Sequence, residues 1–206
     1  VYYYITLMNE NYEHPALPEG GEQGILKGLY SYKESKAKGN LRVQLLGSGT
    51  ILREVIAAAE LLEKDWQVAA DVWSATSFTE LRREGLAADR WNLLHPEGKP
   101  RIPYVTQCLE KRAGPVVAAS DYMKTFADQI RPFVPRDRVY RVLGTDGFGR
   151  SDSRARLRYF FEVNRYFVAI AALKALADSG EVKAKTVADA IRKYGIDPDK
   201  PDPTTV

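Results

Sequence analysis

Apolar positions along this chain change their spacing in a regular way, and that rhythm predicts the fold before any motif does. Leu41 to Leu46 is a short extended run closed by Gly47-Ser48-Gly49-Thr50, a strand and its turn. Leu52, Val55, Ile56, Ala59 and Leu62 then fall on one stripe at helical spacing, with Thr50 or Ser48 placed to cap the first turn. Gln67 to Trp73 reads as the next strand, and Ser77 or Thr79 opens a helix through Leu81, Leu86 and Trp91. A crossing rich in proline (Pro96, Pro100, Pro103) leads to a short helix from Tyr104 to Lys111 and a buried strand at Gly114–Ala119. A helix from Asp121 to Ile130 and a last strand at Arg138–Leu143 follow, and Ile25–Tyr30 is a further strand candidate. Helices over about 153–161, 163–178 and 184–194 close the pattern before a loose tail from Asp197 onward. Strands separated by helices of 10 to 15 residues imply βαβ units and right-handed crossovers. The predicted fold class is α/β: a three-layer α/β/α sandwich on a mostly parallel sheet.

Residues 1–24 have a different character. They carry Glu10, Glu13, Glu19 and Glu22 but no Lys or Arg, and Pro15, Pro18, Gly20 and Gly21 break them after the strand-like opening Val1–Leu7. Six of the twelve tyrosines lie within the first 32 residues, which predicts an arm packed on a neighbouring domain or subunit. The chain starts without Met and as if in mid-structure, so the expectation is a piece of a longer polypeptide, or one whose first part was removed. The expected division is an interdomain arm over 1–24, an α/β domain over 25–195 and a C-terminal tail over 196–206.

Composition narrows the function. Among 206 residues, 30 basic and 27 acidic side chains give a net charge of only +3, far from the footprint of a nucleic-acid binder. No apolar run approaches the roughly 20 residues that span a bilayer, so neither nucleic acid nor membrane is an expected partner. The balance suits a cytoplasmic protein. Cys108 is the single cysteine, which excludes an internal disulfide framework and a cysteine-rich metal site; it reads as a small buried hydrophobe. His14 and His95 each precede a proline and lack metal-ligand spacing, so surface or hydrogen-bonding roles are expected. Trp66, Trp73 and Trp91 read as core or interface anchors.

Ligands of an open parallel sheet sit outside the carboxyl ends of its strands. Gly47-Ser48-Gly49-Thr50 feeds a helix there, and Asp71 stands where a ribose-binding acid would follow, but the dinucleotide fingerprint fails because its third glycine falls at Leu52. A tight strand-to-helix turn is the expected reading. The second loop, Gly144 to Arg154, lies where seven arginines face three aspartates between Arg136 and Arg158. Asp146, Arg150, Ser151, Asp152 and Arg154 are its candidate interface or anion contacts. Either Arg150 or Arg154 holds an anionic group, or Asp152 or Ser151 caps the next helix while the arginines pair across an interface. There is no Gly-Xaa-Ser-Xaa-Gly nucleophile elbow. Asp146-Gly147 also fails as half of a thiamin-diphosphate motif: position 145 is Thr instead of Gly, and the window expected to supply Asn is Ala171–Leu176. No catalytic, cofactor-binding or metal-ligating residue is assigned.

Longer strings carry a resemblance. Leu45–Arg53, Asp71–Leu81, Arg90-Trp91-Asn92-Leu93-Leu94-His95-Pro96 and Val142–Arg154 together resemble the C-terminal part of the homodimeric bacterial pyruvate dehydrogenases, acetyl-transferring members of the transketolase superfamily. The resemblance covers essentially the whole chain. It implies a three-domain polypeptide whose first two domains bind thiamin diphosphate and Mg²⁺ at a dimer interface and whose third is the α/β sandwich. In such an enzyme pyruvate loses CO₂ and the acetyl unit passes to a lipoyl group of the dihydrolipoyl acetyltransferase. The implied partners are the chain's own upstream thiamin-binding domains, a second subunit and that acetyltransferase; the cofactor residues lie upstream, so this stretch alone is expected to bind none. The alternative from another class is a regulatory or partner-binding module that takes an anionic metabolite in the crevice near Gly47–Thr50 and Gly144–Arg154.

Overall fold

The structure, a computed structural model, describes residues 2–5, 10–13, 16–37 and 39–206. Its centre is a five-stranded sheet. The strands are β1 (Tyr30–Lys33), β2 (Arg42–Gly47), β3 (Ala69–Ser74), β4 (Val116–Ala119) and β5 (Tyr140–Leu143), ordered β1-β3-β2-β4-β5. β2 runs parallel to β3 and β4, and β4 parallel to β5; β1 is an antiparallel edge on β3. β2 beyond its first residue, all of β3 and all of β4 are buried, as expected for parallel strands covered on both faces.

Alternation along the strands divides the core in two. Val43, Leu45, Ala70, Val72, Val117 and Ala119 face one layer of helices: α2 (Leu52–Trp66), α7 (Arg165–Asp178) and α8 (Ala184–Lys193). Leu46, Trp73, Val116, Ala118 and Tyr140 face the other: α3 (Phe78–Leu94), α4 (Tyr104–Leu109) and α5 (Lys124–Asp128). α1 (Gly21–Lys27) and α6 (Arg154–Phe160) complete the set. The three-layer α/β/α sandwich expected from the periodicity is what forms. Among the described residues, no helix is long and apolar enough to cross a membrane.

Some local expectations are corrected. Ile25–Tyr30 is not one strand: α1 runs to Lys27, ends on left-handed Gly28, and β1 starts only at Tyr30. Ile25 and Leu26 are exposed, so the apolar run lacked the two covered faces that a buried strand needs. α2 has no side-chain cap; a 3₁₀ turn over Gly49–Ile51 leads into it, and the Thr50 hydroxyl donates across to Asp121 (3.0 Å) instead. Ser77 does cap α3, accepting from the Glu80 amide (3.1 Å). The helix expected over Asp121–Ile130 is confined to Lys124–Asp128. Tyr2 to Ile5 of the strand-like opening are exposed and belong to no strand, while Val1, Thr6 and Leu7 lie outside the described residues.

Asp71 is likewise not a ribose acid. It sits within β3 opposite Gln44, only 1% exposed. Its carboxylate accepts from the Ser35 amide, the Arg42 guanidinium and the Gln44 amide, and the Gln44 oxygen accepts from the Trp73 indole (2.8 Å). The Gln44 amide also reaches the Ala113 carbonyl (3.0 Å), so the network ties β2 and β3 to the entry of β4. Buried polar groups endure when every one is bonded, and these are.

A candidate anion cleft at the carboxyl end of the sheet

The chain leaves β2 toward β3 on one side and returns through β4 on the other, so the order reverses between β2 and β4. The loops after those strands flank the crevice that such a reversal opens. The Thr50–Asp121 hydrogen bond spans it. The loop after β5 closes the same region: the Thr145 amide and hydroxyl donate to the Tyr122 and Asp121 carbonyls (both 3.0 Å), and Asp146 accepts from the Lys124 amide (3.0 Å). The two loops singled out by sequence therefore share one cleft of about 410 Å³, whose walls include Thr50, Asp121, Gly147, Arg150, Arg154 and Arg158.

α2 seats directly on the end of β2, because a Cβ at Gly47 would lie 2.7 Å from the Leu52 Cα. That close approach, and not a phosphate, accounts for the glycine. Gly147 has φ +105°, and a Cβ there would lie 2.2 Å from the Pro203 carbonyl oxygen. The tail thus crosses the loop and is not loose. Lys200 fastens it, donating to the Phe160 carbonyl (3.1 Å) and pairing with Glu162 (2.9 Å).

The five candidate contact residues separate into different roles. Asp146 is spent on Lys124, bonding its amide and lying 3.8 Å from its Nζ. Arg150 lies over the Phe160 ring at 4.7 Å and lines the cleft. Ser151 is exposed, and neither it nor Asp152 caps α6: the N-cap residue is Ser153, without a side-chain cap bond. Asp152 accepts from the adjacent Ser153 amide (2.6 Å) and lies 3.8 Å from Arg156. Arg154 pairs with Glu10 of the arm.

That pair leads to a group sequence reasoning missed. Glu54, on the first turn of α2 and 5% exposed, accepts from Arg158 Nη1 (3.1 Å) and from Arg165 Nε (2.9 Å), Nη2 (3.1 Å) and backbone amide (2.9 Å). Burial pushes its carboxyl upward, but the Arg165 hydrogen bonds and the charges of Arg165 and Arg158 outweigh this and hold it below its ordinary 4.5. Beside this clamp the arm lies across α2 and α6. The Tyr12 hydroxyl donates to Glu10 (2.7 Å), and Arg53 stacks over the Tyr12 ring at 4.2 Å. The Tyr12 bond and then Arg154 lower the Glu10 carboxyl. A second cavity, about 370 Å³, opens along this seam. Arg154 and Arg158 line both cavities and form the wall between them. The clue in the sequence was slight: an acid one turn before Ala58, at the margin of the buried face of α2 and off its apolar stripe.

The remaining candidates are quiet. His95 is exposed, stacks on Trp91 (3.6 Å) and bonds the Trp91 carbonyl through Nδ1; His14 lies outside the described residues. Trp73 is a core residue, and Trp66 donates to Tyr194 (2.8 Å). Cys108 is half-buried, and burial pushes its thiol up, away from the reactive thiolate. Among the described residues, no group of three or more His, Cys, Asp or Glu is arranged to hold a metal ion. Asp146 is already bonded, and Ala171–Leu176 lie within α7 and carry no amide or carboxylate side chain. This donor set does not fit a metal–diphosphate clamp.

The fold and these loops define a domain of the transketolase type. A family model described as the transketolase-like TK C-terminal domain matches residues 28–164, and the chain belongs to that family. It is 61% identical over 203 residues to the pyruvate dehydrogenase E1 component of Pseudomonas aeruginosa, covering 98% of this chain and 23% of the relative. To the Escherichia coli K12 protein of the same name it is 57% identical over 204 residues, covering 98% and 22%. The chain thus spans less than a quarter of these relatives' length. Among solved structures, a Pichia stipitis transketolase in complex with sedoheptulose 7-phosphate superposes with a TM-score of 0.53 at 20% identity, over 81% of this chain and 20% of that one. That likeness concerns the fold.

Proposed function

We propose that this chain is the C-terminal domain of a homodimeric, cytoplasmic pyruvate dehydrogenase of the acetyl-transferring, thiamin-dependent type, and that within it the domain is structural. Decarboxylation of pyruvate and acetyl transfer to the lipoyl group of an acetyltransferase belong to domains outside these residues, where thiamin diphosphate and Mg²⁺ are held. The observation that carries this reading is the identity of 57–61% across 98% of the chain with proteins named for that component. The division proposed is an arm over 1–24, the α/β domain over 25–195 and a tail over 196–206. Asp146, Arg150, Ser151, Asp152 and Arg154 form an interdomain element; the Arg154–Glu10 pair, which joins loop to arm, supports that role.

The test compares the chain alone with the chain joined to the domains that complete its relatives' length. Only the longer protein is expected to release CO₂ from pyruvate, and release by the chain alone contradicts the proposal. A second reading, a module that takes an anionic metabolite, is favoured by one observation: Arg150, Arg154 and Arg158 line the crevice at the strand reversal against the single carboxylate of Asp121. A thermal-shift screen with small anions tests it, since specific binding raises the melting temperature by mass action.

A further inference from the structure

The cavity on the arm side of α6 is distinct from that crevice and has its own charge balance. Its walls bring four guanidinium groups, Arg53, Arg154, Arg158 and Arg165, around two carboxylates, Glu10 and Glu54. Glu60, whose charge reaches Arg165 from further along α2, does not line it. The lining therefore holds a surplus of two positive charges. Glu54 is fully engaged by Arg158 and Arg165 and fixes those two side chains in place. On the other side Arg53 is held by the face of the Tyr12 ring, and among the described residues it makes no ion pair. Tyr12 and Tyr166 give the cavity aromatic walls, and the Asn164 side chain lines it while capping α7. A cavity of about 370 Å³ has room for a small molecule.

From this geometry we infer a second anion site, between α2, α6, α7 and the arm, which takes a phosphate dianion, free or as a small monoester. The dianion matches the surplus charge, and guanidinium forks suit its oxygens better than ammonium groups do. Glu10 is the competitor built into the chain: its carboxylate already takes one share of the positive wall through Arg154. The arm carboxylate thus stays beside the ligand and competes with it for Arg154, and the site's affinity is set in part by residues outside the sandwich.

The test is calorimetric titration of inorganic phosphate and of phenyl phosphate into the 206-residue chain and three variants, at constant ionic strength with chloride as the control anion. Arg53→Ala is expected to weaken binding at least tenfold. Glu10→Gln is expected to tighten it severalfold by removing the competitor, a gain that a misfolded variant cannot show. Arg150→Ala, which removes a residue that lines the neighbouring crevice and not this cavity, is expected to leave it unchanged. Tighter binding of phenyl phosphate identifies an organic monoester as the occupant, and equal binding identifies free phosphate; both agree with the inference. Binding insensitive to Arg53 and Glu10, binding lost in Arg150→Ala, or no phosphate binding above the chloride control overturns it. Loss in Arg150→Ala would assign the anion to the crevice and leave the second reading of function standing.

Discussion

Two buried carboxylates in this domain have the same chemistry and opposite uses. Asp71 lies inside the sheet, closed on every side by Ser35, Arg42 and Gln44, with Trp73 behind them. Glu54 lies at the carboxyl edge of the same sheet, fastened by Arg158 and Arg165, and its clamp opens onto a cavity. The difference is what the surplus donors face. Around Asp71 the remaining polar groups bond one another, so the network locks β2 and β3 in register, and of its side chains only the partly exposed Arg42 reaches toward solvent, with neither cavity beside it. Around Glu54 the arginines are only partly covered and keep guanidinium edges free for solvent, the arm or a ligand. A satisfied charge network fixes a fold; an oversupplied one makes a site.

Breaking each network sharpens that contrast. Asp71→Ala should have the largest effect, destabilising the chain by about 3–5 kcal/mol in urea denaturation, because it orphans a buried amide and a guanidinium at once. A loss under 1 kcal/mol would mean that water replaces the carboxylate, and the closed picture fails. Glu54→Gln should cost less, about 2–3 kcal/mol, since its arginine partners can turn partly to solvent. It should also change the acid limb. The folded Glu54 carboxyl titrates below its ordinary 4.5, so its contribution is complete above that pH and is lost as pH falls through the folded value. Wild type should therefore lose stability more steeply below pH 4.5 than Glu54→Gln; parallel curves would remove the clamp from the account.

Gly147→Ala tests a smaller coupling, between the cleft and the tail. The positive φ and the Pro203 carbonyl leave no room for a methyl group. About 1–2 kcal/mol of destabilisation is expected, with faster amide exchange over residues 197–206; unchanged exchange there would show that the tail does not brace the loop. Smallest in stability is Arg154→Ala. An exposed ion pair contributes little to folding, so the denaturation midpoint should hold. In the complete enzyme this change should weaken subunit or domain assembly more than turnover. A large loss of turnover in an intact dimer would place Arg154 at the chemistry instead.

The sandwich was legible because β2–β4 are buried apolar runs and the long helices bury apolar residues at helical spacing, and burial is what hydrophobic patterning reports. α1 was not, since Ile25 and Leu26 are apolar yet exposed, and helix ends set by glycine rather than by a stripe leave little periodic trace. The arginine excess near Arg154 was visible as composition. Its partners were not: Glu54 lies 104 residues from Arg158, and Glu10 lies 144 from Arg154. Ion pairs across such distances leave no local pattern; only the fold brings them together. Asp71 misled for the reverse reason, because a carboxylate near a strand's end looks the same in sequence whether it faces a ribose or a glutamine.

On the proposed function, this domain braces an enzyme whose reactive centre is built from other residues. Titrating thiamin diphosphate with Mg²⁺ into the 206-residue chain, and into the same chain extended by the domains of its longer relatives, tests it most directly. Heat of binding from the extended protein alone is the predicted result; micromolar binding by the chain on its own would contradict it.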